Sequence, residues 1–388
     1  MRTNKGLHIA GTIARTLLGL TFIFSGFVKA VDPLGTTYKI EDYLTAFGGI
    51  FLDAMPLATV AAVVMIAFEF VLGCCLLCNV RTNITSWLAL LFMLVMTPLT
   101  LYIALENPVS DCGCFGDAVK LSNWATFWKN IVLLALVVLL LCSKKHIHQT
   151  FTWWAELFLF VLALGIAGGV MGYSMTHLPF MDFRPYKAGN HIPTLMEVPE
   201  GAPHDEYAIT FVYSNEDGEE QEFTLDNYPK GDSTWTFVRQ KSVLVRKGYE
   251  PPIHDFELVN RNFEDVTFDV LEAEDTVTLV VMYDLAKADR DQLPKVKALY
   301  ERCVADGTPF YILTGAAEDE IYDYFGLDAF PEDDEILEDG EEDTEEIAEP
   351  YGILTCDGVT LKTIVRANPG VVRLYQGTVV EKYNLRNR

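Results

Sequence analysis

Basic residues are scarce in this chain of 388 residues: 29 Lys and Arg stand against 54 Asp and Glu, a formal net charge of −25. An acidic surplus of this size excludes nucleic-acid binding, which needs a positive footprint, and docking of the acidic part onto an anionic lipid surface. Also missing are a Walker loop, a dinucleotide-binding fingerprint and a zinc-protease helix. Cysteine is sparse, with eight in all, and only Cys303 and Cys356 fall in the second half.

The charge deficit is uneven. Residues 1–179 hold 10 basic and 9 acidic residues, whereas 180–388 hold 19 and 45, so the tail carries the whole net charge. The neutral half contains five apolar stretches, roughly 8–31, 57–78, 87–105, 127–142 and 155–177. Each approaches the ~20 residues that cross a bilayer. The first is too long for a cleavable signal peptide, and four more spans follow it. Segments 1–7, 79–86 and 143–152 carry Arg2, Lys5, Arg81, Lys144 and Lys145 without an acid, while 32–56 and 106–126 are rich in Asp and Glu. An excess of Lys and Arg marks the cytoplasmic side. The expected arrangement is a multi-pass protein of the inner (cytoplasmic) membrane with a cytoplasmic N-terminus and a periplasmic tail. Trp87, Trp124, Trp128, Trp153 and Trp154 sit where an interfacial aromatic belt belongs.

The chemistry-bearing feature is Asp111-Cys-Gly-Cys-Phe-Gly-Asp117, a loop on the expected periplasmic side. Cys112 and Cys114 are one residue apart, and a disulfide between them closes a small ring away from relaxed geometry, hence easier to reduce. Three readings stand: an exchanging pair, a static disulfide or two free thiols, and a metal clip with Asp111 and Asp117. The last supplies only part of a tetrahedral site. Arg15 and Glu69 lie within the first two spans at similar depths counted from the inner surface, which predicts a buried ion pair, with a proton or quinone role as the competing reading. Cys74, Cys75 and Cys78 lie at the inner end of span two, a membrane thickness from Cys112 and Cys114, and are expected to act as small hydrophobes, like Cys142. In span five, Gly165, Gly168, Gly169 and Gly172 give small-xxx-small spacing, which lets another helix approach closely; packing within the bundle is the expected use and a partner the competing one.

These residues carry a family resemblance. Arg15-Thr-Leu-Leu-Gly19, Phe24-Ser-Gly26, Lys29 and a mid-span Glu69 resemble the DoxX family of helical membrane proteins. Asn107 to Asp117, followed by Asn123-Trp124 and Phe127-Trp-Lys-Asn130, resembles the MauE-like branch, over about residues 8–142. The resemblance implies a four-helix core reminiscent of quinone-linked reductases and a role in thiol–disulfide chemistry. MauE-type proteins belong to methylamine utilisation, but the resemblance does not imply that methylamine is handled by this chain.

The tail alternates strands and helices. Tyr207–Tyr213 and Gln221–Leu225 read as two strands around a tight turn, with further short elements at 235–238 and 243–245. From Pro251 the expected order is a strand at 277–283, a helix over 289–304, a strand at 309–313, a short helix at 321–325 and a hairpin over 370–375 and 378–383. That order resembles a thioredoxin-like domain, and Gly248 to Leu258 resembles the start of the TlpA type. Asn368-Pro369 stands where that fold keeps its cis-proline, which would make Pro369 client-facing. The position of the family's Cys-x-x-Cys is Asp284-Leu-Ala-Lys-Ala-Asp-Arg-Asp291, without a cysteine. Cys303 reads as core, and Cys356 as core or as a lone exchanging thiol. Residues 332–349, with 12 acids in 18, read as a solvated loop.

The expected fold class is therefore an α-helical membrane bundle with a DoxX/MauE-like core (1–150) and a fifth span (151–180). A small β-rich module (181–250) and a degenerate thioredoxin-like domain (251–388) follow. Two functions compete. In one, Cys112 and Cys114 exchange with thiols of periplasmic protein clients, with a quinone as the acceptor open to them and no cofactor fixed by the sequence. In the other, the chain is a non-catalytic, lipid-embedded scaffold whose tail binds a periplasmic partner. A transporter ranks third, since no paired broken helices appear.

Overall fold

The computed structural model describes residues 5–109, 111–147, 150–215, 218–225, 227–231, 234–246, 248–325 and 351–388. The acidic stretch 332–349 lies outside the described residues. Among these, five helices are long and apolar enough to cross a membrane: Lys5–Val31, Gly49–Leu77, Thr82–Glu106, Asn123–His146 and Trp153–Thr176. They contain α1 (Lys5–Val31), α3 (Ala58–Leu77), α4 (Thr82–Glu106), α5 (Asn123–Ser143) and α6 (Trp153–Thr176), and α2 (Pro33–Phe47) sits between the first two. The second begins with a 3-10 segment, Gly49–Leu57, and so extends beyond its expected start. Large apolar side chains such as Leu91, Val95, Val132 and Phe158 point outward, as lipid-facing positions do.

Glycine sets how the first two spans meet. A Cβ at Gly26 would come within 2.6 Å of the Phe70 backbone nitrogen, one at Gly73 within 2.5 Å of Ile23 N, and one at Gly19 within 2.8 Å of Leu77 N. Backbone against backbone at this separation is what small residues permit in a membrane, and it fixes the antiparallel register of α1 on α3. Asn130 of α5 donates to Thr100 Oγ1 of α4 at 3.1 Å, a polar tie between two apolar helices. The glycines of α6 behave otherwise. Gly165, Gly168, Gly169 and Gly172 face open space, while Ala163, Ala167 and Met171 make that helix's inward contacts. The expected packing of the glycine stripe within the bundle is thus not found.

Helix α2 was missed in the sequence because its apolar content is modest. Asp32 caps it, accepting from Gly35 N at 3.0 Å, and Pro33 occupies the first helical turn, where its missing N–H costs nothing. The helix lies across the end of the bundle that also holds the Cys-Gly-Cys loop.

After α6, a short helix α7 (Ile192–Met196) leads to a three-stranded antiparallel sheet of β1 (Glu206–Ser214), β2 (Glu220–Thr224) and β3 (Thr236–Arg246), ordered β2-β1-β3. The two expected short elements at 235–238 and 243–245 are one strand, because the polar residues between them continue the pairing with β1. The rest comprises α8 (Thr267–Leu271), β4 (Val277–Val281), α9 (Leu293–Asp306), β5 (Phe310–Thr314), α10 (Glu318–Phe325), β6 (Gly352–Thr355), α11 (Gly358–Ile364), β7 (Gly370–Tyr375) and β8 (Thr378–Asn384). Its sheet runs β6-β5-β4-β7-β8, with β4, β5 and β6 parallel and β7 and β8 antiparallel. The fully buried run of β4 shows why both faces are covered: Leu279 and Val281 enter one apolar cluster, Val280 and Met282 the other.

The tail rests on the bundle. Arg366, between α11 and β7, pairs with Asp32 at 2.9 Å, and Tyr38 donates to the Tyr283 hydroxyl at 3.2 Å. Helix α2, the Cys-Gly-Cys loop and the tail therefore share one end of the bundle.

Candidate functional site

The loop joining α4 to α5 is shaped by Asp111, whose carboxylate accepts from Gly113 N at 2.7 Å and turns the chain back on itself. Gly113 holds φ +64, and a Cβ there would press within 2.9 Å of Lys39. The turn brings Cys112 Sγ and Cys114 Sγ to 2.9 Å, as two free thiols.

The loop is tied down on every side. From α2, Tyr43 donates to the Cys112 carbonyl at 2.9 Å and Lys39 pairs with Asp111 at 3.5 Å. From α1, Ser25 donates to the Cys114 carbonyl at 2.7 Å. Phe115 packs edge-on against Phe24 and lies under the Lys129 ammonium, 4.3 Å from its ring centre. The carboxylates considered for a metal clip are thus committed to cations: Asp111 to Lys39, and Asp117 to Arg366 at 3.4 Å.

Directly beneath the loop lies a buried ion pair. Lys29 Nζ sits 2.9 Å from both carboxylate oxygens of Glu69, and Ser25 Oγ is 2.8 Å from Glu69 Oε2. Both charges are almost wholly buried, and an unpaired charge at such a site would cost several kcal/mol. The expected partner of Glu69 was Arg15, and the structure corrects this. The glycine-set register puts Arg15 alongside the end of α3, where its guanidinium donates to the Leu76 and Leu77 carbonyls. Both carbonyls belong to the last turn of the helix, at its negative end, and Leu76 O also accepts from Asn79 N at 3.2 Å. Leu76 is seven residues from Glu69, roughly 10 Å along the axis at about 1.5 Å per residue. Depth counted from the inner ends of the apolar runs misjudged the pair, because those ends are not level: Arg15 follows the first residue of α1, Lys5, by ten positions, yet lies beside the last residues of α3.

In the sequence, Ser25 and Lys29 stand out only as parts of the motif that carries the resemblance. The missed signal was spacing: Ser25 and Lys29 are four apart, so they share a face of α1, and Glu69 is the one acid in the adjoining helix α3.

The environment divides the two thiols. Cys114 is held down at about 6 by its hydrogen bond with the Cys112 thiol, with the Lys129 and Lys29 ammoniums acting in the same direction against the cost of burial. Cys112 is pushed far up by the same hydrogen bond and by burial. Cys112 and Cys114 border a cavity of about 250 Å³ between α1, α2 and segment 179–184. Met65, Met96 and Leu99 line its apolar end.

The tail residues singled out in the sequence lie elsewhere. Pro369 follows a cis peptide bond from Asn368 and borders a second cavity, of about 630 Å³, between α2 and the tail. Asn368 donates to the Asp284 carbonyl at 2.6 Å, so the stretch lacking a dithiol lies against the proline loop. Cys356 is buried in the core, and burial pushes its thiol up to about 12. Cys303 is buried on the opposite side of the sheet. Helix α2 thus separates the cavity of the thiol pair from the cavity of Pro369.

No curated protein and no solved structure shows a significant match to the chain. Residues 207–247, the three-stranded sheet, match a family described as a domain of unknown function (DUF8463). Residues 7–143, which supply α1 to α5 and every bundle residue that holds the thiol loop, match the family described as methylamine utilisation protein MauE. The site therefore belongs to a MauE-like part of a multi-pass membrane protein.

Proposed function

We propose that the chain is a membrane thiol–disulfide exchange protein whose working pair is Cys112 and Cys114. The observation that carries this is the contact of the two sulfurs at 2.9 Å beside a cavity at the bundle end, with only one of them favoured as the thiolate. A low thiol pKa makes a better leaving group, and the thiolate is the nucleophile. In the oxidised pair, a client thiolate attacks Cys112 Sγ and Cys114 departs as the thiolate. A second client thiolate then displaces Cys112 from the mixed disulfide. The client gains a disulfide, and the pair keeps two electrons and two protons. A membrane-soluble quinone held against Met65, Met96 and Leu99 would supply a two-electron, two-proton acceptor, which is what closing the Cys112–Cys114 bond again requires. The apolar end of the cavity suits an acceptor that reaches the pair from the bilayer.

In this reading the tail is a thioredoxin-like domain that binds rather than reacts. Its strand order, the Asn368–Pro369 loop beside Asp284 and the absence of a cysteine between Asp284 and Asp291 support that role. The clients are periplasmic proteins, since the scarcity of acids and excess of Lys and Arg in 1–7, 79–86 and 143–152 favour the cytoplasm for those segments.

Differential alkylation followed by mass spectrometry, on native membranes with and without added quinone, tests the reading. The Cys112–Cys114 pair should move from thiols to disulfide when quinone is added and back when a reduced dithiol peptide is supplied. A pair that keeps one state under both conditions would leave the chain a membrane-anchored scaffold.

A further inference from the structure

The loop that carries the thiols is held by residues of α1, α2 and α5, with one exception. Asp117, three residues after Cys114, pairs with Arg366, which is 249 residues away in the chain and belongs to the tail. The Arg366 side chain is only 6% exposed. Its Nε lies 2.9 Å and 3.1 Å from the two oxygens of Asp32, its Nη2 reaches Asp117, and its guanidinium lies 5.2 Å from the centre of the Tyr38 ring. Asp32 is also the cap of α2, the helix whose Lys39 and Tyr43 hold Asp111 and the Cys112 carbonyl. Arg366 thus bears on the thiol loop directly and through α2.

Gly35 makes room for it. A Cβ there would stand 2.9 Å from Arg366 Nη2 and 2.6 Å from Asp32 Oδ2. Those atoms are ends of flexible side chains, but they are locked in the ion pair, so moving them breaks it.

We infer that Arg366 is a positioning residue for the Cys112–Cys114 pair: the tail, although it has no dithiol of its own, clamps the redox loop into the shape in which the two sulfurs meet. The inference rests on the exchange function proposed above. A loop freed from the clamp spreads over more conformations when its thiols are reduced, so closure of the disulfide becomes less favourable.

The test is the equilibrium between the Cys112–Cys114 pair and glutathione, in the full-length protein in lipid nanodiscs, read by alkylation and mass spectrometry. Arg366→Gln should lower the equilibrium constant for oxidation about tenfold, which is about 30 mV for a two-electron couple. Gly35→Ala leaves every charge in place and should shift the equilibrium in the same direction. Arg366→Lys, which keeps the charge, should recover part of the shift. Asp117→Asn should act like Arg366→Gln, and the two together should shift the equilibrium by less than their sum.

If Arg366→Gln fails to fold, Gly35→Ala and Asp117→Asn carry the test. An unchanged equilibrium in these variants, or strictly additive shifts, overturns the positioning role. A wild-type pair that never equilibrates with glutathione overturns the exchange function itself, and the clamp with it.

Discussion

Cys114 and Cys112 are chemically identical residues in unlike surroundings, and the difference has a measurable pH signature. Cys114 is held at about 6, first by the hydrogen bond with Cys112 and then by Lys129 and Lys29, while Cys112 is pushed up. The thiolate fraction of an acid grows as pH rises through its pKa, so iodoacetamide should modify Cys114 at a rate that climbs with pH and reaches half its maximum near pH 6. Lys129→Met removes a cation 4.3 Å from the neighbouring Phe115 ring, so it should move that midpoint upward. Rates measured by mass spectrometry on the fully reduced protein would check both, and a midpoint near the ordinary thiol value of about 8.5 would contradict the assignment. Lys29 and Glu69 make the same point about setting. Neither is tolerable alone in an apolar interior, and Ser25 joins them to the loop above, so a buried ion pair lies directly under the two sulfurs.

At the level of elements, much was legible and some was hidden for definite reasons. The five spans were read from apolar length alone, and the buried Val277–Val281 strand and the closing hairpin from their patterns. Helix α2 was hidden because its apolar face is interrupted by Gly35, Thr36 and Thr37, which suit its position between bundle and tail. Strand β6 and helix α11 were hidden because four and seven residues are too few for a period to show. The Arg15–Glu69 pair failed for a deeper reason. Register between helices comes from close contacts, and only the glycines record it. Gly26→Ala must push α1 from α3, because its Cβ would meet the Phe70 backbone. Overpacking of this kind costs about 1–3 kcal/mol, and the protein in detergent should melt several degrees lower. Gly168→Ala on the open face of α6 should leave the melting point unchanged. A lowered melting point in both would mean that the α6 face is also packed.

Across the whole molecule, the chain divides its labour between two environments. Near-neutral, apolar residues 1–179 embed the site, and the acidic remainder stands above it. The ion pair between Arg366 and Asp117 and the contact of Tyr38 with Tyr283 require the thiol loop and the tail to be on one side. That side was assigned to the periplasm from the distribution of Lys and Arg. Protease added to right-side-out membrane vesicles should therefore remove the tail, and a membrane-impermeant maleimide should reach Cys114 from the same side. Inverted vesicles should protect both. The opposite pattern would reverse the orientation and place the thiols in a reducing compartment, where exchange toward oxidation is disfavoured.

The span between Asp117 and Arg366 also has a meaning in time. A ribosome adds about 5–20 residues per second, so the 249 positions separating the two take roughly 12–50 s to synthesise. Throughout that interval the Cys-Gly-Cys loop has already been made, while the last of its anchors does not yet exist. A nascent chain would thus hold its thiol loop by Ser25, Lys39 and Tyr43 before the tie from Arg366 to Asp117 could form.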